Sequence, residues 1–217
     1  ATLKVSGEAL GRWHQVCQGL PAPPRDARKW RFSEVPRQTF QAFYEHAVKE
    51  RDEPRIHDHC NNIVKFLNDA KTILDIDKRY AFETGIIHGD WHSGNLLFTG
   101  ETLKGINDME FAGDGCYLED ISYAVSNLCI RTTVNGDKLQ YRTNLLLNAY
   151  EQHRTLSYAE RVALYYAVGV KHITTVSYQL PQQGGRVAGY TPRHWMTILD
   201  YQTRWMAEQS HKARWGE

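Results

Sequence analysis

His88-Gly89-Asp90-Trp91-His92-Ser93-Gly94-Asn95 runs directly into Leu96-Leu97-Phe98-Thr99-Gly100-Glu101-Thr102-Leu103-Lys104-Gly105-Ile106-Asn107-Asp108, and the rest of the chain is read outward from this stretch. Leu96-Leu97-Phe98 is short and apolar, Thr99 to Thr102 supplies turn residues, and Leu103 to Asn107 returns toward Asp108, which is the pattern of a β-hairpin. A hairpin folds its ends side by side. Asn95 at the entrance and Asp108 at the exit are therefore expected to be neighbours, with two oxygen-bearing side chains facing one point.

An Asp and an Asn five positions apart, entered through a His, have the H-x-D-x-x-x-x-N spacing of a phosphoryl-transfer loop. Phosphoryl transfer proceeds through a loose, negatively charged transition state. It needs a carboxylate to orient the acceptor hydroxyl and hard oxygen ligands to hold magnesium on the phosphates. Asp90 is the candidate base and positioner, and Asn95 and Asp108 are the candidate magnesium ligands. The bland alternative is a loop in which Asp90 and Asn95 make turn hydrogen bonds, as such residues often do.

The run Ile87 to Phe98, then Gly105-Ile106-Asn107-Asp108-Met109-Glu110-Phe111-Ala112-Gly113-Asp114-Gly115, then Glu119-Asp120-Ile121-Ser122, resembles the aminoglycoside phosphotransferase and choline kinase group. The resemblance implies an α+β, mainly α-helical fold: a protein-kinase-like C-terminal lobe over residues 1–217, with a small β-hairpin between the catalytic loop (88–95) and the metal-binding segment (106–110). It implies ATP and Mg2+ as the cofactors and transfer of a phosphate to a small-molecule hydroxyl of aminoglycoside-, choline- or homoserine-like type. It also makes Asp120 the Asp that props the catalytic loop from a following helix. Relatives of this group carry a nucleotide-binding N-terminal lobe with a glycine-rich turn. No G-x-G-x-x-G-x-V stretch precedes His88 here, so the chain as it stands resembles the C-terminal lobe alone.

The bulk properties agree with a small-molecule partner. With 217 residues and 41% hydrophobic content the chain can bury one good core or two modest ones. Lysine plus arginine (26) nearly cancel aspartate plus glutamate (25), so no charge excess argues for nucleic acid or an anionic membrane. No apolar stretch approaches the length of a membrane span, and Cys17, Cys60, Cys116 and Cys129 are widely spaced with no C-x-x-C pair. Reduced thiols and a cytoplasmic location are expected.

Helical spacing is expected over residues 6–17, 38–50, 56–74, 139–153, 157 to about 180, and 192 to about 210. Ser157 followed by Glu160 has capping-box spacing. Gly19 to Arg28 reads as a loop, Ile86-Ile87 as a short strand, Gly113-Asp114-Gly115 as a turn and 182–189 as a glycine-rich loop that is not a P-loop. His88 is expected to pack and brace the loop, and His92 to reach phosphate or backbone. His14 reads as a packed helix residue, and Asp120 at a helix start is placed to cap it. Glu110 points to the metal side if its backbone is extended, and otherwise lies at the rim.

Asp114 and Glu119 are weak candidates for receiving an amine on the acceptor, since the same residues suit solvent. Trp195 and Trp205 suit a cation-binding wall, but an aromatic stripe at helical spacing is more often core. His57-Asp58-His59-Cys60 invites a metal-site reading, and the helical period of Ile56 to Leu74 favours a helix start instead. Two competing functions stand beside the kinase. One is a non-catalytic or truncated kinase-like binding module; the other is a metal-dependent phosphohydrolase using His88, Asp90 and His92, whose further ligands do not appear in order.

Overall fold

The computed structural model describes residues 2–24, 33–75 and 81–216. It is mainly helical with two small antiparallel ribbons, an α+β arrangement. Helix α1 (Thr2–Cys17) opens the chain, followed by α2 (Arg37–Glu50) and α3 (Pro54–Ile73). Strands β1 (Thr84–Ile87), β2 (Leu96–Thr99), β3 (Thr102–Ile106) and β4 (Gly113–Cys116) come next. Then α4 (Tyr117–Ala124) passes into a π-helical segment (Val125–Ile130), and α5 (Gly136–Tyr150), α6 (Tyr158–Gln182) and α7 (Pro192–Trp215) complete the fold. The expected loop at Gly19–Arg28 is seen as far as Pro24, and the remainder lies outside the described residues.

The predicted hairpin forms. Leu96 pairs with Ile106 and Thr99 with Thr102, a two-residue turn joins them at Gly100 (φ 59°), and a bulge interrupts the register between Leu97 and Phe98. The other ribbon corrects the sequence reading, because Gly113–Cys116 is not a turn but a strand paired antiparallel with β1, Ile87 opposite Gly113 and Thr84 opposite Cys116. A Gly-Asp-Gly run has almost no intrinsic strand preference, so the pairing is imposed by tertiary context. Gly85 on β1 shows part of that context: a Cβ there would meet the Tyr117 hydroxyl at 2.1 Å.

Helix α6 is buried on nearly every face, from Val162 through Leu180, and packs against α2, α3, α4 and α7. It starts as expected, with Ser157 accepting from the Glu160 N–H while Glu160 accepts from the Ser157 N–H. Trp195 and Trp205 on α7 are 2% and 8% exposed, which settles them as core. Each fully buried Leu, Ile or aromatic contributes about 1.5–3 kcal/mol relative to exposure. α1 lies against α5 through two glycines. A Cβ on Gly7 would stand 2.1 Å from the Leu146 carbonyl oxygen, and one on Gly11 2.5 Å from that of Tyr150.

His57 and His59 sit on α3 and face different partners, His57 bonding Tyr44 Oη and Asp52 and His59 bonding Asp200 of α7. They serve helix packing, as the periodicity favoured. All four cysteines are free, Cys116 and Cys129 buried and Cys17 and Cys60 partly so. Among the described residues no helix is long and apolar enough to cross a membrane.

Candidate active site

The loop 88–95 is held from beneath by one buried carboxylate. Asp120 Oδ2 accepts the His88 N–H at 2.6 Å and Oδ1 accepts the Gly89 N–H at 2.7 Å, and the residue is 1% exposed. Asp120 does not cap α4: Cys116 is the N-cap, and Glu119 closes the box by accepting the Cys116 N–H at 3.2 Å. Burial outside a cap leaves both Asp120 oxygens to the loop and to His14, whose Nε2 lies 3.2 Å from Oδ2. His14 Nδ1 in turn meets Tyr150 Oη at 2.8 Å, and Arg154 donates to that hydroxyl at 3.0 Å and to Glu160 at 2.6 Å. Burial lowers the His14 pKa against the opposing pull of Asp120, so the imidazole is neutral, with Nε2–H donating to Asp120 and Nδ1 accepting from Tyr150.

His88 ties the loop to the far end of the hairpin. Its Nδ1 accepts the Asp90 N–H at 3.2 Å and its Nε2 donates to the Asn107 carbonyl at 3.0 Å, which fixes the neutral tautomer. Gly89 is required between them, because φ is +80° and a Cβ would meet the Phe111 carbonyl oxygen at 2.4 Å.

Asp90 receives donors from three residues. Asn95 Nδ2 donates to Oδ2 at 3.0 Å and to the Asp90 carbonyl at 3.0 Å, His92 Nε2 lies 3.2 Å from Oδ2, and the Tyr123 hydroxyl donates as well. His92 Nδ1 accepts the Gly94 N–H at 2.9 Å, which leaves Nε2–H to Asp90. Burial alone pushes the Asp90 carboxyl up, but the contacts with His92, Asn95 and Tyr123 outweigh it and hold the group below the usual carboxylate range. Tyr123 is displaced the other way, since burial and the adjacent Asp90 raise its hydroxyl far above its ordinary value and keep it a donor.

Asn95 and the Asp108 segment meet at the backbone, where the Asn107 N–H donates to the Asn95 carbonyl at 2.9 Å. Asp108 follows immediately, exposed and left-handed at φ 63°, a conformation Asp tolerates better than most residues. Because Asn95 Nδ2 is committed to Asp90, its Oδ1 is turned to the other side, so Asn95 Oδ1 and the Asp108 carboxylate are hard oxygen donors of the type magnesium takes. Glu110 lies in a turn closed by the Ala112 N–H on the Met109 carbonyl, not in extended chain, and is exposed at the rim. Asp114 is exposed on β4 opposite Ile86, and Glu119 has spent Oε1 on the helix start; neither is among the donors and acceptors gathered at Asp90.

Three neighbours went unread in the sequence. Tyr123 looked like one apolar member of a helix. Asn127, on the π-helical segment, accepts the Ser93 N–H at 3.1 Å, and Lys171 of α6 places Nζ 3.8 Å from the centroid of the Tyr123 ring. Lys171 alone left a signal, being the one Lys, Arg, Asp or Glu between Arg161 and Arg186.

A helical lobe with a small antiparallel sheet and an Asp-centred loop propped by a buried carboxylate defines a kinase-like domain. Residues 2–156 match the model of the phosphotransferase enzyme family, APH, and the chain belongs to that family. It is 27% identical over 128 residues to the homoserine kinase of Janthinobacterium sp. (strain Marseille), covering 57% of this chain and 39% of that protein. Over 81 residues it is 33% and 35% identical to the homoserine kinases of Rhodopseudomonas palustris strains BisB5 and HaA2, covering 37% of this chain and 24% of each. The chain thus spans less than half the length of these curated relatives.

Proposed function

We propose that this chain is the catalytic lobe of an ATP-dependent phosphotransferase that moves the γ-phosphate to the hydroxyl of a small molecule. The observation that carries this reading is the Asp90 carboxylate, ionised and aimed by His92, Asn95 and Tyr123 on a loop braced by Asp120. The family match and the names of the relatives support it, and they make a homoserine-like hydroxyl acceptor the first to test.

In this scheme the acceptor hydroxyl donates to Asp90, which fixes the oxygen in line with the γ-phosphorus. The bond to the acceptor oxygen forms, the bond from the γ-phosphorus to the bridging oxygen breaks, and ADP leaves. A carboxylate of lowered pKa is a weak base. It serves because the acceptor proton becomes acidic only as the new bond forms, so Asp90 orients first and takes the proton late. Asn95 and Asp108 would hold magnesium, which when bound neutralises charge on the phosphates.

Asp90→Asn keeps the size of the side chain and removes its charge. Phosphotransfer to hydroxyl acceptors, followed by ADP release in the presence of magnesium, is expected to fall at least about a thousandfold at unchanged thermal stability; unchanged turnover would overturn the role. Calorimetric titration with ATP, with and without magnesium, tests the metal ligands. Magnesium-dependent binding that is lost in Asp108→Ala is the expected result.

A further inference from the structure

Helix α4 does not continue as an α-helix after Ala124. Over Val125–Ile130 the turn widens, and the Arg131 N–H reaches back five residues to the Ser126 carbonyl at 3.3 Å. The segment ends on Arg131 at φ 47° and ψ −123°, a backbone that an L side chain rarely adopts. Widened turns and left-handed side chains are costly to keep, and both collect at functional sites.

Buried polar groups on other helices hold this one. Gln202 of α7 donates from Nε2 to the Arg131 carbonyl at 2.9 Å and the Thr133 carbonyl at 3.0 Å, which leaves Oε1 to accept from His172 Nε2 at 3.0 Å. His172 of α6 then accepts the Ser126 hydroxyl on Nδ1 at 3.2 Å, and Arg142 of α5 donates to the Leu128 carbonyl. A regular helix packed by leucines would fill the same space without burying Ser126, His172 and Gln202.

The side chain that this segment delivers to the loop is Asn127. Asp120, Tyr123 and Asn127, at i, i+3 and i+7 of one helical run, all meet the loop: Asp120 at the His88 and Gly89 N–H groups, Tyr123 at the Asp90 carboxylate, and Asn127 at the Ser93 N–H, 3.1 Å from its Oδ1. Asp120 secures the buried first half. The second half is exposed at Ser93 and Gly94 before it turns inward at Asn95, and Gly94 offers no side chain to stiffen it.

We infer that Asn127 is a positioning residue: by holding the Ser93 N–H it sets where Asn95, two residues on, presents its Oδ1, and the widened turn at 125–130 brings it there. The inference rests on the phosphotransferase reading, in which Asn95 is a metal ligand, and its first readout needs neither metal nor turnover.

Asn127→Leu removes the acceptor at similar size, and Asn127→Asp keeps an acceptor oxygen. Asn127 is only half-buried, so both variants are expected to melt like the unaltered chain. In the metal-free chain the Ser93 amide exchanges faster in Asn127→Leu and not in Asn127→Asp. Magnesium-dependent ATP binding weakens about tenfold in Asn127→Leu, the size of loss usual when the support of a metal ligand is removed, and is largely kept in Asn127→Asp. With L-homoserine as the acceptor, kcat falls to a similar extent while the acceptor KM stays. Unchanged Ser93 exchange in Asn127→Leu overturns the inference, as does faster exchange with unchanged magnesium-dependent binding, or an equal loss in both variants. Absence of magnesium-dependent ATP binding in the unaltered chain overturns it too, since Asn95 would then hold no metal. Faster Ser93 exchange with weakened magnesium-dependent binding, in a chain that transfers phosphate to no acceptor, upholds the role of Asn127 and counts against the role given to Asp90.

Discussion

Asp120 makes no contact with the acceptor in the proposed mechanism, yet it holds the loop at two successive backbone N–H groups. Its two oxygens gather the N–H groups of His88 and Gly89 and one imidazole N–H of His14 in a buried position. Asp120→Ala strands three donors at once, and a loss of about 3 kcal/mol or more is expected in chemical denaturation, with Asp120→Asn less damaging because one oxygen remains. A second prediction at this scale concerns His172. Burial lowers its pKa to about 4, while its ring bridges Ser126 Oγ and Gln202 Oε1. Below pH 6.5 the unfolded chain takes up the proton and the folded chain does not, so stability falls as the pH drops from about 6.5 to about 4. The loss is on the order of 3 kcal/mol for a group shifted this far. His172→Gln is expected to flatten that limb of a stability-against-pH curve, whatever it does to stability at neutral pH.

At the scale of elements, the contact between α1 and α5 is made through small residues. Helix α1 approaches α5 because Gly7 and Gly11 present no side chain to the carbonyls of Leu146 and Tyr150, and Ser6 on the same face accepts the Trp91 indole N–H at 3.0 Å. Gly7→Ala must move backbone against backbone and is expected to cost about 2 kcal/mol, at the heavier end of overpacking effects. Gly19→Ala, where nothing lies within 4 Å and only φ of +78° opposes the change, is expected to cost about 1 kcal/mol or less. Melting temperatures of the two variants separate packing from backbone strain. The hairpin and the capped start of α6 were legible in advance because turn residues and Ser157/Glu160 act within a few residues of chain. Strand β4 and the π-helical turn at Val125–Ile130 were not. The first is paired with β1 across the ribbon, and the second carries Asn127, which accepts the Ser93 N–H.

Taken as a whole, the chain hangs its loop on a polar path that crosses from α6 to the loop: Glu160, Arg154, Tyr150, His14, Asp120. These are residues of α6, the α5–α6 connection, α5, α1 and α4, so the path forms only when those helices are docked. Amide hydrogen exchange is expected to show it. The N–H groups of His88 and Gly89 should exchange as slowly as those in the middle of α6, through global unfolding, whereas those of the exposed residues 108–110 should exchange fast. Rapid exchange at His88 and Gly89 with a protected α6 would mean that the loop opens on its own.

By itself the sequence determined the parts that are local in the chain: helix periodicity, the hairpin, the H-x-D-x-x-x-x-N spacing and the family to which these point. It could single out Asp90, Asn95, Asp108, His88 and Asp120 because the motif and the family resemblance tie them to one short segment. Tertiary structure alone decided that His92 and Tyr123 contact Asp90, that Glu119 spends an oxygen on a helix start, and that Lys171 stands over the Tyr123 ring. The physical reason is distance along the chain. Hydrogen bonds and ring contacts between α4, α6 and the loop act over a few ångströms in space but leave no periodicity or spacing in the sequence that joins them.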